Sequence, residues 1–215
     1  KTDGTASGTM MVKDINSGSS GFSLYMPTVI GNTLYFRAND GTNGYELWKS
    51  DGTASGTVMV KDINNGSDDS SPHRLKAVGN TLYFLADDGT HGKELWKSDG
   101  TASGTVMVKD INNGSASGIS TNPGSSTNFE ITAVGNTLYF PANDGINGGE
   151  LWKSDGTASG TVMVKDIRSG GWTSYPDELT VFNNTLYFTA AVTNNAWDLF
   201  KTDGTANGTV MVKNL

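Results

Sequence analysis

The stretch Glu46-Leu47-Trp48-Lys49-Ser50-Asp51-Gly52-Thr53-Ala54-Ser55-Gly56-Thr57-Val58-Met59-Val60-Lys61-Asp62-Ile63 decides the fold, because it does not occur only once. It returns almost unchanged at 94–111 and 150–167, and with a few substitutions at 198–215. Its second part also opens the chain, as Lys1–Ile15. Its first lysine falls at Lys1, Lys49, Lys97, Lys153 and Lys201, in steps of 48, 48, 56 and 48 residues. A fixed period of about 20–50 residues marks solenoids, propellers and arrays, and its upper end fits a four-stranded propeller blade.

Read outward from that stretch, one unit holds four short strands separated by turns. Tyr25–Ile30 is the first, and Gly31-Asn32 turns the chain. Thr33–Ala38 is a second strand of aromatic and β-favouring residues, and Asn39–Gly44 is a loop with two glycines. Tyr45–Lys49 is the third strand, Ser50–Gly56 a turn, and Thr57–Ile63 the fourth strand. Each strand carries apolar groups on both faces, as Leu34 and Phe36 oppose Tyr35, which suits a sheet covered on both sides by neighbouring sheets. The expected fold is all-β, a β-propeller-type array of four-stranded antiparallel blades. The blades are read as 25–63, 73–111, 129–167 and 178–215 of one array, 1–215, with 1–15 an orphan fourth strand. The eight extra residues of the third unit lie in Asn112–Asn128, between one blade's last strand and the next blade's first, where a loop accepts insertion cheaply. Both ends supply the same strand, which predicts either a window of a longer array or a spare edge that pairs with another molecule.

Composition narrows the function classes. The 215 residues include 28 Gly and only 5 Pro, with much Asn, Ser, Thr and Asp, a turn-rich make-up. A net charge of −7 argues against a nucleic-acid partner, and the lysines, spread through the motifs opposite Asp, read as mixed surface charge and not as a basic patch. No apolar run approaches the roughly 20 residues that span a bilayer, so membrane insertion is not expected. No signal segment opens the chain, which fits a removed leader or an excised piece. The absence of Cys excludes a disulfide framework and a thiol nucleophile. A Cys-free, Asn/Gly/Ser/Thr-rich repeat points to an extracellular or cell-surface setting.

The residues Glu46-Leu47-Trp48-Lys49-Ser50-Asp51-Gly52-Thr53, followed by Gly56-Thr57 and Val60-Lys61-Asp62-Ile63, resemble the ELWxxDGT repeat family of bacterial, mostly extracellular, propeller-like proteins. The resemblance covers essentially the whole chain. It implies the fold and the extracellular setting, and it carries no common reaction or ligand.

Three sets of residues are candidates for chemistry. The loop from Asp40 to Glu46 recurs as Asp88 to Glu94 and Asp144 to Glu150. Its acidic and amide oxygens on a Gly-rich loop suit calcium, and the alternative is an Asx turn in which Asp caps backbone N–H groups. The fourth unit has Val192 in place of the Asp. Asp51, Asp99, Asp155 and Asp203, each before Gly-Thr, read as structural turn residues. Trp48, Trp96 and Trp152 read as inter-blade core, whereas Trp172, Tyr175 and Trp197 fall outside the repeat and read as an exposed platform for a sugar. His73 and His91 do not repeat and have no Ser/His/Asp spacing around them.

No cofactor is required by any motif, and catalysis is not expected, because near-identical units offer no asymmetric site. The leading expectation is a non-catalytic binding or adhesive module for glycans or other cell-surface polymers. The alternative is a structural repeat that self-associates through its edge strands into a fibre, sheath or surface layer.

Overall fold

The computed structural model describes residues 1–17, 27–119, 131–193 and 196–213. They form four sheets of four strands, each in simple sequence order. The first holds β1 (Thr28–Ile30), β2 (Thr33–Asn39), β3 (Tyr45–Ser50) and β4 (Val58–Lys61). The second holds β5 (His73–Val78), β6 (Thr81–Asp87), β7 (Lys93–Ser98) and β8 (Val106–Lys109). The third holds β9 (Thr132–Val134), β10 (Thr137–Asn143), β11 (Gly149–Ser154) and β12 (Val162–Lys165). The fourth holds β13 (Asp177–Phe182), β14 (Thr185–Thr193), β15 (Ala196–Thr202) and β16 (Val210–Lys213). The fold is all-β, a propeller-type array of antiparallel four-stranded blades. Among the described residues there is no helix, and so none long and apolar enough to cross a membrane.

The turn between the third and fourth strands is fixed by side chains. Thr53 donates to Asp51 Oδ1 from its backbone N at 2.9 Å and from Oγ1 at 2.7 Å. Gly56 N donates to Thr53 Oγ1 at 2.9 Å, and Thr57 Oγ1 donates to Thr53 O at 2.7 Å. Ser50 Oγ and Thr57 Oγ1 lie 2.7 Å apart and close the base of the loop. This is local capping by Asp and Thr, which frees the turn from needing sheet partners. Only glycine fits at Gly56, because a Cβ there would overlap the Asp51 carboxylate. The same bonds recur at Asp99, Asp155 and Asp203.

The register is repeated too. Phe36 pairs with Trp48, Phe140 with Trp152 and Phe188 with Phe200. Leu47 faces Lys61 while Trp48 faces Met59, a β-bulge at Val60 that returns in β11–β12 and β15–β16.

The chain forms two compact units, Lys1–Thr90 with Trp96–Met107, and His91–Leu95 with Val108–Leu215. In the first, Tyr35, Leu47, Val60 and Ile63 close against Leu82, Phe84, Ala86 and Trp96 of the following sheet. Ile15 packs on a smaller cluster of Phe36, Ala38 and Trp48. In the second, Tyr139, Leu151 and Val164 close against Leu186, Phe188, Ala190 and Phe200. Each fully buried Leu or Phe contributes about 1.5–3 kcal/mol through lost contact with water.

Lysines bolt these seams, a role that mixed surface charge did not foretell. Lys61 Nζ donates to Thr105 O at 2.8 Å and stands 5.7 Å over the Trp96 ring. Lys109 does the same to Thr161 O and Trp152, and Lys13 to Thr57 O and Trp48. A second lysine, from the third strand, reaches the next turn: Lys49 Nζ donates to Gly100 O at 2.8 Å and Lys153 Nζ to Gly204 O at 2.7 Å.

Two strand expectations need correction. Residues 8–15 form no strand. Lys1 and Met10 exchange backbone hydrogen bonds at 2.7 and 2.9 Å, in the place of the Lys49–Val58 pair, and this pairing does not continue into a ladder among the described residues. The first strand of the first unit begins at Thr28; Tyr25 and Met26 lie outside the described residues, as do residues 120–130 of the inserted connection and Leu215.

Candidate functional site

In β3, β7 and β11 the alternation Glu-x-Trp-x-Ser turns the glutamate to the tryptophan's side of the sheet. Glu46, Glu94 and Glu150 are accordingly 0 % exposed. Glu46 Oε2 accepts Ile63 N at 2.9 Å and Ser70 Oγ at 2.5 Å, and its Oε1 accepts Ser70 N at 3.0 Å. Glu94 accepts Ile111 N at 3.2 Å and Gly118 N at 2.6 Å. Glu150 Oε2 accepts Ile167 N at 3.1 Å and Ser174 Oγ at 2.6 Å, while its Oε1 is buried with no partner. Each carboxyl thus ties the connection leaving its blade back to the blade's third strand. Burial pushes all three carboxyls up, Glu94 and Glu150 to about 7, against the downward pull of the donated hydrogen bonds. Asp110 beside Glu94 and Asp166 beside Glu150 push the same way.

The aspartates expected to share a calcium with these glutamates serve different partners. Asp40 Oδ1 accepts Thr42 N and Asn43 N, both at 2.9 Å, and its Oδ2 accepts Asn43 Nδ2 at 2.8 Å. Asp144 is bound alike by Ile146 and Asn147, and Asp88 Oδ1 accepts Thr90 N. Partial burial pushes the Asp40 and Asp144 carboxyls up, but the loop's N–H groups outweigh it and hold both below the usual value. The loop Asp and the strand Glu are therefore not assembled as one ligand set. Among the described residues no three His, Asp or Glu side chains are grouped to hold a metal ion.

The off-repeat aromatics are exposed. Trp172 is 60 % exposed, Tyr175 42 % and Trp197 42 %. Trp197 stands in β15 at the place of Tyr45, Lys93 and Gly149, and its ring centroid lies 6.1 Å from that of Tyr175, the planes inclined at 40°. Trp172 is instead stacked by Arg168, whose guanidinium lies 5.0 Å from the ring centroid. Two of the three expected residues thus form one aromatic pair, and the third pairs with a cation. Tyr175 has φ 49°, a left-handed backbone in which a bulky side chain is unfavourable. Ser71, at the same place in the first connection, has φ 48°, so the fold sets the geometry and the tyrosine is an addition to it. The repeated tryptophans differ sharply: Trp48, Trp96 and Trp152 are 5–6 % exposed.

What the linear reading missed is the role of the repeated Glu and Lys. The signal for Glu was available in its spacing from Trp and Ser on one strand face. The lysine acceptors are backbone carbonyls about one repeat away, which no side-chain pattern shows.

No family model and no curated protein sequence matches the chain. Among solved structures it is similar to puromycin hydrolase, at 16 % identity and a TM-score of 0.58, covering 90 % of this chain and 29 % of that one. A mutant of puromycin hydrolase complexed with PGG gives the same identity and TM-score, with 88 % and 28 % covered. A structure described as a TolB from Agrobacterium tumefaciens matches at 10 % identity and a TM-score of 0.43, over 86 % of this chain and 62 % of that one. The chain therefore spans less than a third of the length of puromycin hydrolase. At these identities the likeness to puromycin hydrolase shows the fold alone, a β-propeller-type array.

Proposed function

We propose that this chain is a non-catalytic, extracellular propeller module of the ELWxxDGT kind that binds glycans through Tyr175 and Trp197, with exposed Trp172 and its Arg168 partner in the same compact unit. The observation that carries the reading is the exposed Tyr175–Trp197 pair, centroids 6.1 Å apart, at positions where packing asks for no aromatic residue. Exposed aromatic faces offer apolar area with little conformational entropy to lose, which suits the C–H faces of a sugar ring. The repeated Glu and Asp side chains are engaged in hydrogen bonds of the fold, which favours a binding role over an acid–base one.

The test is a glycan array probed with the 215-residue chain, alongside Trp197→Ala and Tyr175→Asn. Binding to a defined set of glycans that both variants lose supports the reading. Absence of binding to any glycan, or binding that neither variant weakens, refutes it.

A further inference from the structure

We propose that Asn65 and Asn113 are sites of spontaneous conversion to aspartate and isoaspartate, each through a succinimide closed by the nitrogen of the following glycine. The proposal goes beyond the glycan reading and does not depend on it.

The chemistry needs an asparagine followed by a residue whose main-chain nitrogen can reach the side-chain amide carbon. Glycine suits it best, because it has no Cβ to stand in the way. The chain holds five such pairs: Asn43-Gly44, Asn65-Gly66, Asn113-Gly114, Asn147-Gly148 and Asn207-Gly208. By sequence they are equivalent, and the fold separates them.

Three pairs are held. Asn43 Nδ2 donates to Asp40 Oδ2 at 2.8 Å and Asn147 Nδ2 donates to Asp144 Oδ2 at 2.7 Å, which fixes both amide carbons. Gly44 and Gly148 are buried, and a Cβ at either would overlap the main chain of Asp68 or Trp172. Gly208 N donates to Thr205 Oγ1 at 2.9 Å inside the Asp203 turn, where a Cβ would overlap the Asp203 carboxylate. At these three places the main chain has no room to turn towards the side chain.

The other two pairs are open. Asn65, Gly66, Asn113 and Gly114 are all exposed, in the connections that leave β4 and β8. Among the described residues no hydrogen bond holds the side-chain amide of Asn65 or of Asn113. A Cβ at Gly66 or Gly114 would meet nothing within 4 Å, so the main chain has space to rearrange there. Gly66 N donates to Asp62 Oδ2 and Gly114 N to Asp110 Oδ2, both at 3.2 Å. In each case the acceptor is a carboxylate, which draws the proton away from the nitrogen that attacks.

At the first site the bond from Gly66 N to Asn65 Cγ forms and the Cγ–Nδ2 bond breaks. The Gly66 amide proton passes by way of the Asp62 carboxylate to the departing nitrogen, which leaves as ammonia. Water then opens the ring at either of its two carbonyls, giving aspartate or isoaspartate, and nothing is oxidised or reduced. Each conversion adds one negative charge to the −7 of the chain. Isoaspartate also adds a methylene to the main chain between Ile63 and Ser70, the two residues whose backbone nitrogens Glu46 holds.

The experiment keeps the 215-residue chain in mildly alkaline buffer, and in parallel in urea that unfolds it, and follows all five asparagines by tandem mass spectrometry of proteolytic peptides. In the native chain Asn65 and Asn113 are expected to convert at least about tenfold faster than Asn43, Asn147 and Asn207, where hydrogen bonds must first be given up. In urea the five rates draw together. Asp62→Asn slows conversion at Asn65, with Asn113 of the same chain as the reference. A native chain in which Asn43, Asn147 or Asn207 converts as fast as Asn65 and Asn113 overturns the proposal. So does one in which Asn65 and Asn113 stay intact while converting in urea. An Asn65 rate that Asp62→Asn leaves unchanged overturns the part given to the carboxylate.

Discussion

Replacing Glu150 by Gln isolates what a buried carboxyl contributes to a seam. Glu150 Oε2 accepts Ile167 N and Ser174 Oγ, and Oε1 accepts nothing. Gln can place its carbonyl oxygen where Oε2 stands, so both hydrogen bonds survive. The pKa of Glu150 is raised from 4.5 to about 7 by burial first, with Asp166 adding to it. A raised carboxyl pKa means the folded state holds its proton more tightly than the unfolded one. Stability from this group is complete below pH 4.5 and is lost as pH rises to about 7. A rise of that size corresponds to about 3 kcal/mol, a large part of a typical domain's stability.

Urea unfolding at a series of pH values between 4 and 8.5, on the wild type and Glu150→Gln, reads this directly. The wild type is expected to lose stability across pH 4.5–7 and Glu150→Gln to lose less, ending more stable by about 2–3 kcal/mol at pH 8. Glu94→Gln gains less, because Glu94 accepts Ile111 N on one oxygen and Gly118 N on the other, and an NH₂ must oppose one of them. A wild-type stability that is flat or rising over this window refutes the reasoning. So does a Glu150→Gln variant less stable than wild type at pH 8, because either means the buried carboxyl is held ionised.

Tyr175→Asn relieves a left-handed backbone and is expected to leave stability unchanged or raise it by about 1 kcal/mol, while abolishing glycan binding; thermal unfolding and the array separate the two effects. Gly160→Ala drives a Cβ into the Asp155 carboxylate and is expected to cost about 2 kcal/mol or more in urea unfolding, a loss that Asp155→Ala partly recovers in the double variant. Lys61→Met keeps the apolar stem but removes the donor to Thr105 O and the cation over Trp96, for an expected loss of about 1–2 kcal/mol in the same assay.

The repeat made the blades legible because period, turn chemistry and strand composition point the same way. Asp51-Gly52-Thr53 reads as a turn whatever surrounds it, since its hydrogen bonds close within seven residues. Glu46 was harder. Acid in a strand beside a Gly-rich loop reads as a cation ligand, yet its partners are Ile63 and Ser70, 17 and 24 residues on, across a connection whose path the sequence does not state. The lysines were least legible, because Lys49 and Lys61 reach backbone carbonyls 51 and 44 residues away. The strand read at 8–15 is not formed, and the Met10–Lys1 backbone exchange does not continue into a ladder among the described residues. Of the aromatic set, exposure followed from breaking the period, but the pairing of Tyr175 with Trp197 needed the folded connection.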